Sequence, residues 1–181
     1  RLDLNNVNKE VIQTLKSGDT VLLNGKLLTG RDAAHKRMTD MIAAGEPMPV
    51  DFTNRFIYYV GPVDPVREEA VGPAGPTTAT RMDKFTRTML EKTGLIGMVG
   101  KAERGPEARD AIRDNKAVYL MAVGGAAYLV SKAIKNAKVV AFEDLGMEAI
   151  YEFYDYGSAD IDVQIPTDAV DIGSALAQLE G

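Results

Sequence analysis

The sequence has no cysteine, no tryptophan and a single histidine, His35, among its 181 residues. Without cysteine there is no disulfide, no thiolate nucleophile and no iron–sulfur cluster held by this chain's own side chains. One histidine leaves a self-contained zinc site without its usual ligands. Long apolar runs are also missing. The longest charge-free stretch of that kind, residues 117–130, is 14 residues long and is broken by Gly124-Gly125, too short to span a bilayer. The polar N-terminus carries no signal-peptide pattern, although a first residue of Arg1 suggests a cut, processed or partial chain. Nor is there an excess of positive charge. A net charge of −5 argues against a nucleic-acid partner, because phosphate backbones want a basic surface. Arginines focused in a cleft can still outweigh the mean charge and hold a small anion. The expectation is a cytoplasmic or mitochondrial-matrix protein with no nucleic-acid and no membrane partner.

What is present points to a folded α/β chain. With 45% hydrophobic and 26% charged residues, the composition is globular, and the length suits one substantial core. Apolar spacing predicts a short helix over Asn5–Leu15, with Val7, Val11, Ile12 and Leu15 on one side. Asn24-Gly25 between two apolar runs predicts a hairpin, or one continuous bulged strand. A helix over Arg31–Ala44 buries Ala34, Met38, Met41 and Ile42 and stops at Gly45. Phe56–Val60 reads as a strand ended by Gly61-Pro62, and Pro62–Pro76 as irregular. A helix then runs from Thr78 or Thr80 to Lys92, with Met82, Phe85 and Met89 inward. After it come a strand at Leu95–Val99, a helix at Glu107–Asn115 and a strand at Ala117–Val123. A helix at Ala126–Asn136 and strands at Val139–Phe142 and Ile150–Tyr154 complete the reading. Strands alternating with helices imply parallel pairing through right-handed crossovers.

The segment Gly75-Pro76-Thr77-Thr78-Ala79-Thr80-Arg81 reads as a helix start facing an anion. Proline and glycine stop what precedes, a threonine can cap the first turn, and free amides with the helix dipole would converge with Arg81 on a carboxylate or phosphate. Lys101 follows a predicted strand after Gly100, where open α/β sheets bind ligands; on position alone it also reads as a solvated loop lysine. A phosphate-loop reading of the same stretch fails, because Leu95 and Ala102 stand where glycine and Ser/Thr are needed. Arg31 opens a helix against its dipole, either for function or for an ion pair with Asp32 or Asp40. His35 reads as a hydrogen-bonding residue inside the fold rather than a catalyst. Gly124-Gly125 reads as an anion cradle or as a tight strand–helix turn. Glu143, Asp144 and Glu148 read as solvating a turn. Threonine can take a proton only if another base accepts it in turn, and nothing in the sequence identifies that base.

Four separated blocks, residues 30–37 (GRDAAHKR), 57–62 (IYYVGP), 75–83 (GPTTATRMD) and 98–101 (MVGK), resemble the C-terminal domain of class I, iron–sulfur fumarate hydratases. The same unit forms the β subunit of two-chain fumarases and L-tartrate dehydratases. Residues 122–127 (AVGGAA) and 144–150 (DLGMEAI) extend the resemblance, which runs from about Leu2 to Phe153. From Tyr154 onward the sequence departs from the family pattern. The resemblance implies a swivelling β/β/α domain of α/β class, with a partly parallel sheet flanked by helices, and one domain over residues 1–181 of a larger enzyme. It implies reversible hydration of fumarate to L-malate, with tartrate dehydration or mere anion binding as alternatives. It further implies a [4Fe-4S] cluster held by an N-terminal domain or α subunit, and a homodimer of the complete enzyme. Carried over residue by residue, Thr77 would be the proton-abstracting base. Arg31, Thr78, Arg81 and Lys101 would hold the substrate carboxylates.

Overall fold

The computed structural model describes residues 1–62, 64, 70–122, 131–154 and 161–164. Nine strands form one sheet. They are β1 (Leu2–Asp3), β2 (Thr20–Asn24), β3 (Leu27–Thr29), β4 (Phe56–Tyr58), β5 (Gly97–Gly100), β6 (Val118–Ala122), β7 (Asn136–Ala141), β8 (Ile150–Tyr154) and β9 (Ile161–Gln164). Their spatial order is β1-β2-β9-β6-β5-β4-β3-β8-β7. Strands β3 to β6 are parallel and sequential, as the strand–helix alternation predicts. Antiparallel β8 and β7 extend one side, and antiparallel β9 separates β6 from β2 on the other.

The link between β2 and β3 dictates the shape. Only Gly25 and Lys26 join two strands that lie five places apart in the sheet. Flat, five strand spacings would span roughly 24 Å, whereas three Cα steps reach about 11 Å at most. The sheet therefore curls until its two halves meet. The hairpin reading of Asn24-Gly25 is thus corrected, since β2 and β3 do not pair. The alternative reading, one long strand bent at Gly25 (φ +98°), describes the chain path.

Period-two alternation sorts the strand residues into two cores. Leu23, Leu27, Phe56, Tyr58, Val99, Val118 and Leu120 point inside the curl, with Leu4 and Ile12 closing it. Leu28, Ile57, Met98 and Tyr119 point outward. There they meet α2 (Asp32–Ala43), α3 (Asp83–Thr93) and α4 (Pro106–Asp114), whose buried residues include Ala34, Met38, Phe85, Met89 and Ala111. This is the mixed α/β arrangement that the resemblance implies. The first helix, α1 (Lys9–Ile12), is shorter than expected and is capped by the Asn8 side chain, which accepts from Val11 N at 2.9 Å. Strand β7 begins at Asn136, so the helix expected over Ala126–Asn136 ends earlier. Its residues 126–130, with Gly124-Gly125, lie outside the described residues. No helix among the described residues is long and apolar enough to cross a membrane.

Candidate active site

The site lies where adjacent parallel strands end. Strand β3 runs through Gly30, whose N–H donates to Tyr58 O at 3.1 Å, into Arg31 at the head of α2. Strand β4 runs through Tyr59 to Gly61, and β5 through Gly100 to Lys101. Past Tyr59 and Val99 the last two strands splay, and Thr77–Ala79 enters between them. Thr77 N donates to Tyr59 O (2.7 Å), Lys101 N to Thr77 O (3.2 Å) and Ala79 N to Lys101 O (2.9 Å). The preceding loop is held from the inner core, where Tyr58 Oη donates to Ala74 O at 2.8 Å. Residues from 30 to 101 in sequence thus become neighbours.

This geometry corrects the helix-start reading of residues 75–81. The amides of Thr77 and Ala79 face strand carbonyls rather than an open anion site. The first turn, Ala79–Met82, is a 3-10 turn, and Thr78 at its head makes no side-chain cap bond. Helix α3 starts only at Asp83. The correction leaves both hydroxyls unspent: Thr77 and Thr78 make no side-chain hydrogen bond among the described residues. They are half-buried at the rim.

Two cations meet through one carboxylate. Arg81 Nη2 lies 2.5 Å from Asp32 Oδ2, and Arg31 Nε lies 3.9 Å from the same oxygen. Glu148 Oε1 approaches Arg31 Nε at 3.3 Å. Arg31 thus has structural ion pairs, whereas Asp40 pairs with Lys36. Glu148 and Asp144 do more than solvate a turn. Asp144 accepts two 2.8 Å hydrogen bonds from Arg37, which hold its carboxyl below the usual range, and the segment Glu143–Glu148 docks on α2 through these pairs. Arg31 also lies against Gly61, where a Cβ would come within 3.1 Å of its Cδ. Lys101 is exposed and its ammonium has no ion pair among the described residues.

Below this layer sits a network that sequence reasoning missed. The Arg104 guanidinium is buried, with Nε 2.7 Å from Asp83 Oδ1, Nη1 3.2 Å from Tyr59 Oη and Nη2 2.5 Å from Thr86 Oγ1. Burial alone would lower its pKa, but Tyr59 and Asp83 outweigh that and keep it protonated. Asp83 also accepts from Gly105 N at 2.7 Å. One ion pair therefore ties the residues after Arg81 to those after Lys101. Asp83 falls inside a resembling block, but nothing in sequence spacing reveals a partner 21 positions away. His35 is buried against Tyr59 and Phe85, and its Nδ1–H donates to Arg31 O at 2.9 Å. Burial lowers its pKa to about 4, so it is neutral and structural, as expected.

Two unspent hydroxyls, a lysine bridged to their segment, and two arginines sharing a carboxylate thus lie near the ends of parallel strands. Comparisons with known proteins show the family. The chain is 35% identical over 156 residues to "Fumarate hydratase class I, aerobic" of Salmonella typhimurium, an alignment covering 84% of this chain and 27% of that protein. The Escherichia coli K12 protein of the same name matches at 35% identity and is 28% covered. The chain therefore spans little more than a quarter of the length of these relatives. A Methanocaldococcus jannaschii protein named "Putative L(+)-tartrate dehydratase subunit beta" is 36% identical over 152 residues, covering 82% of this chain and 78% of that protein. The sequence model of the Fumarase C-terminus family matches residues 1–169, and the chain belongs to that family.

Proposed function

We propose that this chain supplies the proton-abstracting base and the carboxylate grip of a class I hydro-lyase that interconverts fumarate and L-malate. Three observations support this reading: the backbone bridge between Thr78 and Lys101, the approach of Arg31 and Arg81 to one Asp32 oxygen, and the unspent Thr77 and Thr78 hydroxyls. In the dehydration direction a proton leaves the carbon next to a carboxylate, and negative charge builds on that carboxylate. Fixed guanidinium and ammonium groups lower that barrier because they need no reorganisation. Arginine also fixes the orientation of a diacid. Thr77 Oγ1 takes the carbon-bound proton as its own hydroxyl proton passes to a base. No carboxylate touches that hydroxyl among the described residues; in this reading the accepting carboxylate comes from a partner domain or subunit.

This chain does not suit a cluster. It has no cysteine, and no group of three His, Cys, Asp or Glu side chains able to hold a metal occurs among the described residues. The [4Fe-4S] group belongs, in this reading, to an N-terminal domain or α subunit. The M. jannaschii relative, matched over most of its length, supports a second reading as a tartrate dehydratase β component. The test is to reconstitute the chain with its cluster-bearing partner and follow fumarate and L-tartrate turnover. Thr77→Ala and Arg81→Ala should each lower turnover by at least ~100-fold. Near-normal turnover in either variant rejects the assigned roles, and the preferred substrate separates the two readings.

A further inference from the structure

Arg81 and Arg31 arrive from different elements, a 3-10 turn and the strand–helix junction before α2, and each has a long stem that solvent can loosen. Arg81 is half exposed, at 53% of its side chain, and its one ion pair among the described residues is with Asp32. Asp32 is the opposite case. It sits in the first turn of α2, a position fixed by the helix, and its side chain is short. Its Oδ2 faces both guanidinium groups, at 2.5 Å from Arg81 and 3.9 Å from Arg31. That oxygen and Arg31 Nε are the buried side-chain polar atoms without a well-aligned hydrogen bond among the described residues. Both lie in the same gap, so charge rather than a saturated hydrogen-bond pair holds this cluster.

We infer that Asp32 is a positioning residue that holds Arg31 and Arg81 side by side, so that both can grip one end of a dicarboxylate. The inference rests on the proposed hydratase reading. Two effects of the Asp32 charge oppose each other. It orients the two cations, and it repels an incoming anion. If orientation dominates, neutralising Asp32 weakens substrate binding; if repulsion dominates, binding tightens. A helix-dipole role for this acid would change stability alone.

In the complete enzyme, Asp32→Asn should raise KM at least tenfold with a smaller change in kcat, and Asp32→Glu should recover part of the loss. In an Arg81→Ala background the same Asp32→Asn change should cost at least about threefold less in kcat/KM than it does alone, because one of the two groups it positions is gone. Additive losses, a lower KM, or a fall in thermal stability with unchanged kinetics would each overturn the inference. If Arg81→Ala itself leaves turnover intact, the hydratase reading fails instead. A measurement independent of turnover remains in that case. Crystal structures of the chain and of Asp32→Asn should show the Arg81 guanidinium ordered beside Arg31 in the first and displaced in the second. Order in both sinks the proposal.

Discussion

At the scale of single residues, what lies under the site matters as much as what faces it. Arg104→Ala should destabilise the chain by about 3 kcal/mol, because it strands the part-buried Asp83 carboxylate and empties the space between Tyr59 and Tyr119. Chemical denaturation would measure this. Gly61→Ala should act differently. A Cβ there crowds Arg31 Cδ and Nη1 and Met147 O, all within 3.2 Å, so KM should rise several-fold while stability falls little. His35 gives a pH dependence. Folded, it stays neutral down to about pH 4, whereas unfolded it binds a proton near 6.5. The unfolded state therefore gains protons between those values. Stability from this group is full above about pH 6.5 and declines by about 3 kcal/mol as pH falls to about 4. Denaturation curves of the wild type and His35→Gln should converge over that window. The residues proposed to face the site could be named from sequence because they lie in unbroken motif blocks. Arg104 and the link through Asp32 were not, since a buried ion pair across 21 residues and a carboxylate shared by two arginines leave no periodic trace.

At the scale of elements, periodicity read well along α2 and α3, though Val11, expected on the inner side of the first helix, is exposed. Met38 in α2 and Met82, Phe85 and Met89 before and along α3 are the inward residues that 3.6-residue spacing selects. It read poorly where backbone pairing is non-local. The amides of Thr77 and Ala79 look free in sequence, but the ends of β4 and β5 claim them, which no local pattern encodes. This inserted segment is testable. Ala79→Pro removes the N–H that donates to Lys101 O at 2.9 Å at a position where helix starts normally tolerate proline. Turnover of the complete enzyme should fall at least tenfold, while stability falls by only about 1 kcal/mol. Equal losses of both would mean the segment is a structural brace and not the site's foundation.

At the scale of the whole molecule, the sheet depends on a strand that the motif blocks do not reach, although the family match extends through residue 169. β9 pairs with β2 on one side and β6 on the other, filling the gap that the two-residue β2–β3 link requires to be bridged. The departure expected after Tyr154 is corrected, since the family match continues to residue 169; a strand inserted antiparallel between two distant ones leaves no local trace, so its place in the sheet was not legible. Ending the chain at Tyr154 should expose the edges of β2 and β6 and produce self-association visible by size-exclusion chromatography. A monomeric, cooperatively unfolding truncation would show that β9 is dispensable.

The position of β9 at residues 161–164 has a consequence for biosynthesis. Its neighbour β2 leaves the ribosome some 140 residues earlier, and at about 5–20 residues per second the nascent chain waits on the order of ten seconds before β9 can join β2 to β6. During that interval the half-built domain presents bare peptide groups at two edges, a template for unwanted strand pairing.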